Sequence, residues 1–215
     1  AVYGRRNRPW AWLDTESNGS DEFSREIVEL ALVPFADGRS SLTFHRSPVR
    51  GDDCTRRRLD GDNDDRVDLV EPETSLEEIR AILNRCRGHV LVAHNAEHDA
   101  GMIGQMRECL ARPECRTDEG YSRFMRNMYT GYEILQPTKR QNAFHVVDTL
   151  DIACLVLPQL DRHRLEDLAK HYGLGQQQHR AMQDALQLRE AVCRMAEDIG
   201  NDAPLAAALA LLPRA

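Results

Sequence analysis

Trp10-Ala11-Trp12-Leu13-Asp14-Thr15-Glu16 decides how this chain is read. Its aromatic and aliphatic run predicts a short β-strand, and the strand ends on two carboxylates. Side chains at i and i+2 of a strand share a face, so Asp14 and Glu16 project together at its carboxyl end. Like charges this close raise the cost of ionising each other. A cation between them removes that cost, and hard divalent ions such as Mg²⁺ take oxygen ligands of this kind. The competing explanation is a solvated strand end running into the turn Ser17-Asn18-Gly19. The Asp-x-Glu pair alone does not separate the two.

Downstream, Arg25 to Pro34 predicts a second strand, alternating early and apolar later. Asp37-Gly38 is a hairpin-type turn signal, and Ser41 to His45 predicts a third strand. The start of the chain therefore reads as a three-stranded antiparallel meander. Residues 46–73 read as a long polar loop rich in Asp, Arg, Gly and Pro. Within it, Asp60, Asp62, Asp64, Asp68 and Glu71 match calcium-loop spacing. Asp65 stands where that loop needs glycine, however, and Pro72 blocks the exit helix, so a solvated acidic loop is the better reading.

The second half alternates helix and strand. Thr74 or Ser75 caps a helix over Leu76–Arg87, with Glu77 and Glu78 in its first turn, where the helix dipole favours anions. Gly88 ends it. His89–Ala93 is a continuous apolar run of the buried parallel type, which leads into His94–Asp99 and then a helix to about Cys109. Residues 111–144 show no clean periodicity. Val146–Asp148 predicts a strand, Thr149–Leu157 a helix with a Thr cap, and Leu165–Tyr172 a helix closed by Gly173. A last helix over about Ala181–Ile199 has the apolar face Ala181, Ala185, Leu188, Val192, Met195 and Ile199. Leu205, Leu209 and Leu212 form a small stripe in a helical tail. The sum is an α/β fold, a mixed sheet with helices on both faces.

The 215 residues, 41% of them hydrophobic, can bury a substantial core in one domain. Its expected core is about 10–197, with the polar loop at 46–73, an insertion or lid at 112–144 and a tail at 200–215. No apolar run approaches the roughly 20 residues of a membrane span, and the first residues carry no signal-peptide core. Six cysteines without C-x-x-C spacing read as reduced thiols. The expected location is the cytoplasm, with no membrane partner. A net charge of −7 argues against a polyanionic partner, unless the carboxylates cluster round cations and leave a surface that attracts phosphate.

Two further acidic positions join Asp14 and Glu16. Asp99 follows the end of a buried strand, where sheets of this kind place ligands. Asp184 lies in the first turns of the last helix, after His179. Five residues of continuous helix rotate about 140°, so both can face one site only if His179 sits in the lead-in loop. Gly173, Gly175 and Gln176-Gln177-Gln178 permit such a loop.

In this order, Asp14-Thr-Glu16, His94-Asn-Ala-x-x-Asp99 and His179-Arg-Ala-x-x-Asp184-Ala resemble the three exonuclease motifs of the DnaQ-like (DEDDh) 3′→5′ exonucleases. That family includes the proofreading subunit of bacterial replicative DNA polymerase. Leu165–Gly173 resembles the family's usual lead-in, and the resemblance spans about residues 10–197. It implies a ribonuclease H-like fold and two divalent ions, Mg²⁺ or Mn²⁺. Asp14, Glu16, Asp99 and Asp184 would be the metal ligands and His179 the general base, with nucleoside 5′-monophosphates released from 3′ ends. Two ions about 4 Å apart can activate water and stabilise the leaving oxygen. An imidazole of ordinary pKa, about 6.5, can take the proton of that water at neutral pH.

The resemblance is not complete. His98 stands where the family commonly has Phe, which packs near the substrate, and the segment between Asp99 and Asp148 is long. Thr15, Asn95 and His98 are candidate substrate contacts, although His94 and Asn95 are better read as ordering the backbone around Asp99. Residues 112–144 hold half of the chain's Phe and Tyr residues, interleaved with Arg. They fit either a single-strand stacking surface or a lid that packs on the body.

The expected partners are 3′ ends of single-stranded DNA or RNA, with DNA favoured by the resemblance. A polymerase or other protein could dock on the tail. The competing functions are an accessory binding module with little activity of its own and a dinucleotide phosphodiesterase.

Overall fold

Alternation along the first strand divides the chain's apolar residues between the two faces of a sheet. The computed structural model describes residues 8–17, 26–35, 41–45, 74–129 and 144–201. Their elements are β1 (Trp10–Ser17), β2 (Ile27–Pro34), β3 (Leu42–His45), α1 (Leu76–Gly88), β4 (Val90–Ala93), α2 (Ala96–Ala111), a 3₁₀ turn (Pro113–Arg116), α3 (Asp118–Tyr129), β5 (His145–Asp148), α4 (Thr149–Val156), α5 (Leu165–Tyr172) and α6 (Ala181–Asn201). The Ser17–Gly19 and Asp37-Gly38 turns, the Asp60–Glu71 acidic loop and the Leu205/Leu209/Leu212 stripe lie wholly or partly outside the described residues.

One five-stranded sheet runs in the order β3-β2-β1-β4-β5. The β1–β2 and β2–β3 pairs are antiparallel, as the meander requires, and β1–β4 and β4–β5 are parallel. The mixed sheet expected from the sequence is the sheet observed.

On one face, Ala11 and Leu13 of β1 pack with Leu30, Leu32, Phe44 and Leu91 against Ile79 and Leu83 of α1 and Ile103 and Met106 of α2. On the other, Trp12, Ala31, Val33 and Val92 pack against Ala181, Ala185 and Leu188 of α6. Helices thus cover both faces. Full burial of one such Leu or Phe contributes about 1.5–3 kcal/mol. A third cluster, with Ala153 and Val156 of α4, Leu168 of α5 and Ala191 and Met195 of α6, ties the last three helices together.

Of the two caps open to α1, Ser75 takes the role, in a reciprocal box with Glu78; Thr74 Oγ1 accepts from His45 N at the end of β3. The structure corrects the sequence reading at two places. Asp148 rather than Thr149 caps α4, accepting from Leu150 N at 2.9 Å. The stretch read as aperiodic contains α3. There Tyr121, Phe124 and Met125 fall at i, i+3 and i+4, which gives one buried stripe. Tyr121, Phe124 and Phe144 are core residues rather than a stacking surface. Arg112 lies 4.6 Å from the centroid of the Phe124 ring, and Arg107 lies 5.5 Å from that of Phe144. These aromatics pack on the body of the domain; Tyr132, Lys139 and Arg140 lie outside the described residues. Gly120 permits the close approach of α3 to the preceding turn, where a Cβ would meet Glu114 O at 1.8 Å.

Candidate active site

β1 delivers the first two carboxylates. Its register sets Asp14 opposite Ala31 and Glu16 opposite Glu29 of β2, and the pairing shifts between Glu16 and Ser17. Asp14 and Glu16 share the face of Trp12, which α6 covers. An irregularity of this kind bends a strand and re-aims its end, here at the pair of acids.

β4 and β5 deliver Asp99. Asn95 has φ 67°, the left-handed conformation that Asn tolerates better than most residues. It turns the chain from β4 directly into α2. The Asp148 carboxylate, at the end of the adjacent strand β5, accepts from Asn95 N at 3.0 Å and Ala96 N at 2.9 Å. The His94 ring is held between Thr149 Oγ1 and the His163 carbonyl, and Thr149 donates back to Ala93 O at 3.0 Å. His94 and Asn95 thus order the backbone in front of Asp99, which is buried in the first turn of α2. His98 is half-buried, and its backbone N–H closes the same turn on Asn95 O. The Thr15 hydroxyl, a candidate substrate contact from the sequence, donates to Asp99 Oδ1 at 2.6 Å.

α6 and its lead-in deliver His179 and Asp184. Gly173, Gly175 and His179 all have positive φ, so the lead-in is a loop and not an extension of the helix. His179 lies in that loop, and its ring nitrogen, a Glu16 oxygen and an Asp184 oxygen all lie within 4.8 Å of one another. The first and third motifs therefore meet. Asp184 is buried and accepts from Gln177 Nε2 at 2.8 Å and from Gln178 N at 3.3 Å.

Asp14 joins this group through charge. Burial raises its pKa well above the ordinary carboxyl range, and the charges of Asp99, Glu16, Asp184 and Glu29 raise it further. Burial lifts Asp99 to about 7, against the hydrogen bond from Thr15 that stabilises its ionised form. Burial also raises Asp184, opposed by its bonds from Gln177 and Gln178 and by the nearby His179. Asp14 Oδ2 is buried and makes no hydrogen bond. Acids that cannot ionise together, one with an orphaned oxygen, form a hard-oxygen donor set that a divalent cation satisfies. These residues fit the metal that the motifs imply.

Three participants are absent from the candidate list drawn from sequence: Glu29, Arg180 and Gln177. Glu29 is buried at 4% side-chain exposure and accepts from Arg180 Nε at 3.0 Å. The missed signal was the meander register, which sets Glu29 beside Glu16.

A family model described as exonuclease matches residues 11–191. A PolC-type DNA polymerase III of Oceanobacillus iheyensis is 30% identical over 177 residues, covering 80% of this chain and 10% of that protein. The PolC-type DNA polymerase III of Listeria monocytogenes is 30% identical over 198 residues, covering 89% and 11%. Among solved structures, a zinc-bound E. coli ExoI–ssDNA complex aligns with TM-score 0.53 at 17% identity, over 95% of this chain and 43% of that one. E. coli exonuclease I with a dT13 oligonucleotide gives 0.52 at 17% identity, over 92% and 42%. This likeness shows the fold, a ribonuclease H-like mixed sheet. The chain spans about a tenth of the length of these PolC-type relatives, 10% and 11% of the two.

Proposed function

The chain belongs to the exonuclease family, DnaQ-like in fold and motif order, and on that premise we propose that it hydrolyses single-stranded DNA from the 3′ end, releasing nucleoside 5′-monophosphates with the help of divalent metal. One observation supports the reading above others. Glu16, His179 and Asp184 converge within 4.8 Å beside the orphaned buried oxygen of Asp14. DNA is favoured because the relatives are named as DNA polymerases and the solved neighbours hold ssDNA or dT13. The chemistry itself acts at phosphorus and is blind to the 2′-hydroxyl.

In this reading Asp14, Glu16, Asp99 and Asp184 would hold two divalent ions, Mg²⁺ by abundance or Mn²⁺ in the same oxygen set. When bound, such ions activate water and neutralise the charge that develops on the leaving oxygen. His179, exposed in its loop, takes the proton of the attacking water. The new O–P bond forms as the P–O3′ bond breaks, and the leaving O3′ takes a proton from solvent to become the 3′-hydroxyl of the shortened strand. Thr15 orients Asp99 rather than touching substrate. His98, half-buried and next to Asp99 in the chain, is the candidate contact to the terminal nucleotide. The chain acts as one exonuclease domain in the cytoplasm, with a polymerase as the candidate protein partner of the tail.

A digestion time course with 5′-labelled single-stranded DNA and matched RNA tests this, in Mg²⁺ or Mn²⁺, with EDTA and His179→Ala controls. The expected result is a ladder that shortens from the 3′ end, abolished by EDTA and strongly slowed by His179→Ala. A protein shown to be folded that cleaves neither strand in either metal overturns the proposal and favours an accessory binding module.

A further inference from the structure

We propose that Glu29 and Arg180 form a positioning pair that aims His179 at the acidic site; the inference rests on the exonuclease reading of that site. Glu29 stands opposite Glu16 in the β1–β2 register, so both carboxylates lie on the face that α6 covers. A further buried carboxylate beside Asp14 and Glu16 adds repulsion to an already crowded group. Arg180 removes that penalty. Its Nε donates to Glu29 Oε2 at 3.0 Å, with the two side chains only 22% and 4% exposed. On the other side of Glu29, His45 Nδ1 lies 3.9 Å from Oε1. Glu29 Oε2 is thereby committed to Arg180, while Oε1 is buried without a hydrogen bond.

Arg180 is also held through its backbone. Its carbonyl accepts from Asp184 N at 2.9 Å and closes the first turn of α6. One residue thus ties β2, beside Glu16, to the helix that carries Asp184. His179 is its immediate neighbour and has φ 52°, a conformation that non-glycine residues hold only when their surroundings impose it. The constraint comes from both sides: Gln178 N donates to Asp184 Oδ1 at 3.3 Å before His179, and Arg180 is anchored after it. A histidine that must meet an attacking water gains from such fixing, since a misplacement of about 1 Å costs on the order of 100-fold in rate.

The test compares Glu29→Gln, Arg180→Gln, the double variant and Arg180→Lys with the wild-type protein. Turnover of single-stranded DNA, melting temperature and hydrogen exchange over residues 176–184 are measured on each. Each single variant is expected to lose about 10- to 100-fold in kcat with KM nearly unchanged. The double variant should lose no more than the worse single one, because one interaction is removed twice. Arg180→Lys should recover part of the loss. Exchange at 176–184 should quicken in the variants while α1 and α2 keep their protection. Wild-type kcat in Arg180→Gln overturns the inference, as do fully additive losses or losses that merely track the folded fraction. A wild-type protein without nuclease activity defeats the exonuclease reading alone. The exchange data then decide the tether: faster exchange at 176–184 supports it, and unchanged exchange overturns it.

Discussion

Thr15 Oγ1 donates to Asp99 Oδ1 at 2.6 Å, joining the strand of the first motif to the helix of the second. Asp14 and Glu16 use one face of β1, and Thr15 between them uses the other, so a single short segment addresses three acidic positions. The bond favours ionised Asp99 against the burial that drives its pKa to about 7. Thr15→Val removes the donor and keeps the shape. A hydrogen bond to a charged group is worth about 1.5–3 kcal/mol, so activity at neutral pH should fall about 10-fold or more. Raising the pH or the Mg²⁺ concentration should restore much of it, and Thr15→Ser should restore nearly all. A pH–rate profile of Thr15→Val that overlays the wild type would show that this bond does not tune Asp99.

Asp14 should trade stability for function. Its Oδ2 is buried without a hydrogen bond, and its neighbours are acidic. Asp14→Asn removes the charge and keeps the volume. The variant should melt higher than wild type in EDTA, by a few degrees, with the gain widening as pH rises and wild-type Asp14 is forced to ionise. Its nuclease activity should drop by about three orders of magnitude, as for loss of a group essential to metal catalysis. Thermal melts in EDTA and a single-turnover assay in Mg²⁺ measure both halves. A variant that melts lower at every pH would mean that Asp14 Oδ2 does have a partner.

The metal-free protein should lose stability as pH rises through weak acid. Asp99 moves from an ordinary value of 3.8 to about 7 on folding, and Asp14 and Asp184 move in the same direction. A raised acid pKa means that the folded state holds the proton more tightly than the unfolded chain does. The resulting stabilisation is complete below 3.8 and is lost as pH climbs to about 7 for Asp99. Melting temperature in EDTA should therefore fall over that window, more steeply in wild type than in Asp99→Asn. Excess Mg²⁺ should flatten the slope by raising the high-pH end. Equal slopes for wild type and Asp99→Asn would contradict the linkage.

These electrostatic features were only partly legible in the sequence. Asp14, Glu16, Asp99 and Asp184 stand out because each sits at the end or start of an element whose period is clear, and the motif resemblance groups them. The spacing of His179 and Asp184 required a loop, and the left-handed residues at 173, 175 and 179 form one. Glu29 was missed because an acid in an alternating strand reads as a solvent-facing residue. Both faces of β2 are covered, so Glu29 is buried like its neighbours. α3 was missed because its apolar stripe is short and interleaved with Arg, a composition shared with single-strand binding surfaces. Its burial depends on the core waiting beneath Tyr121 and Phe124. The cap of α4 fell to Asp148 over Thr149 for a tertiary reason: Thr149 is already spent on Ala93 O and His94.

Asp148 is the position where one substitution should disturb both fold and site. Its carboxylate accepts from Asn95 N at 3.0 Å, Ala96 N at 2.9 Å and Leu150 N at 2.9 Å. One side chain thus serves the N-termini of α2 and α4, where unpaired N–H groups and the helix dipole both favour an anion. Loss of one N-cap costs about 1 kcal/mol. Asp148→Ala, which strands N–H groups on two helices, should therefore cost about 2–3 kcal/mol. Asp148→Asn, which keeps an acceptor but not the charge, should cost about half of that. Because α2 carries Asp99 in its first turn, Asp148→Ala should also slow nuclease turnover in conditions where the protein remains folded. Urea titration and turnover at matched folded fraction separate the two effects. A large stability loss with wild-type turnover would confine Asp148 to folding; loss of both places it in the frame that aims Asp99.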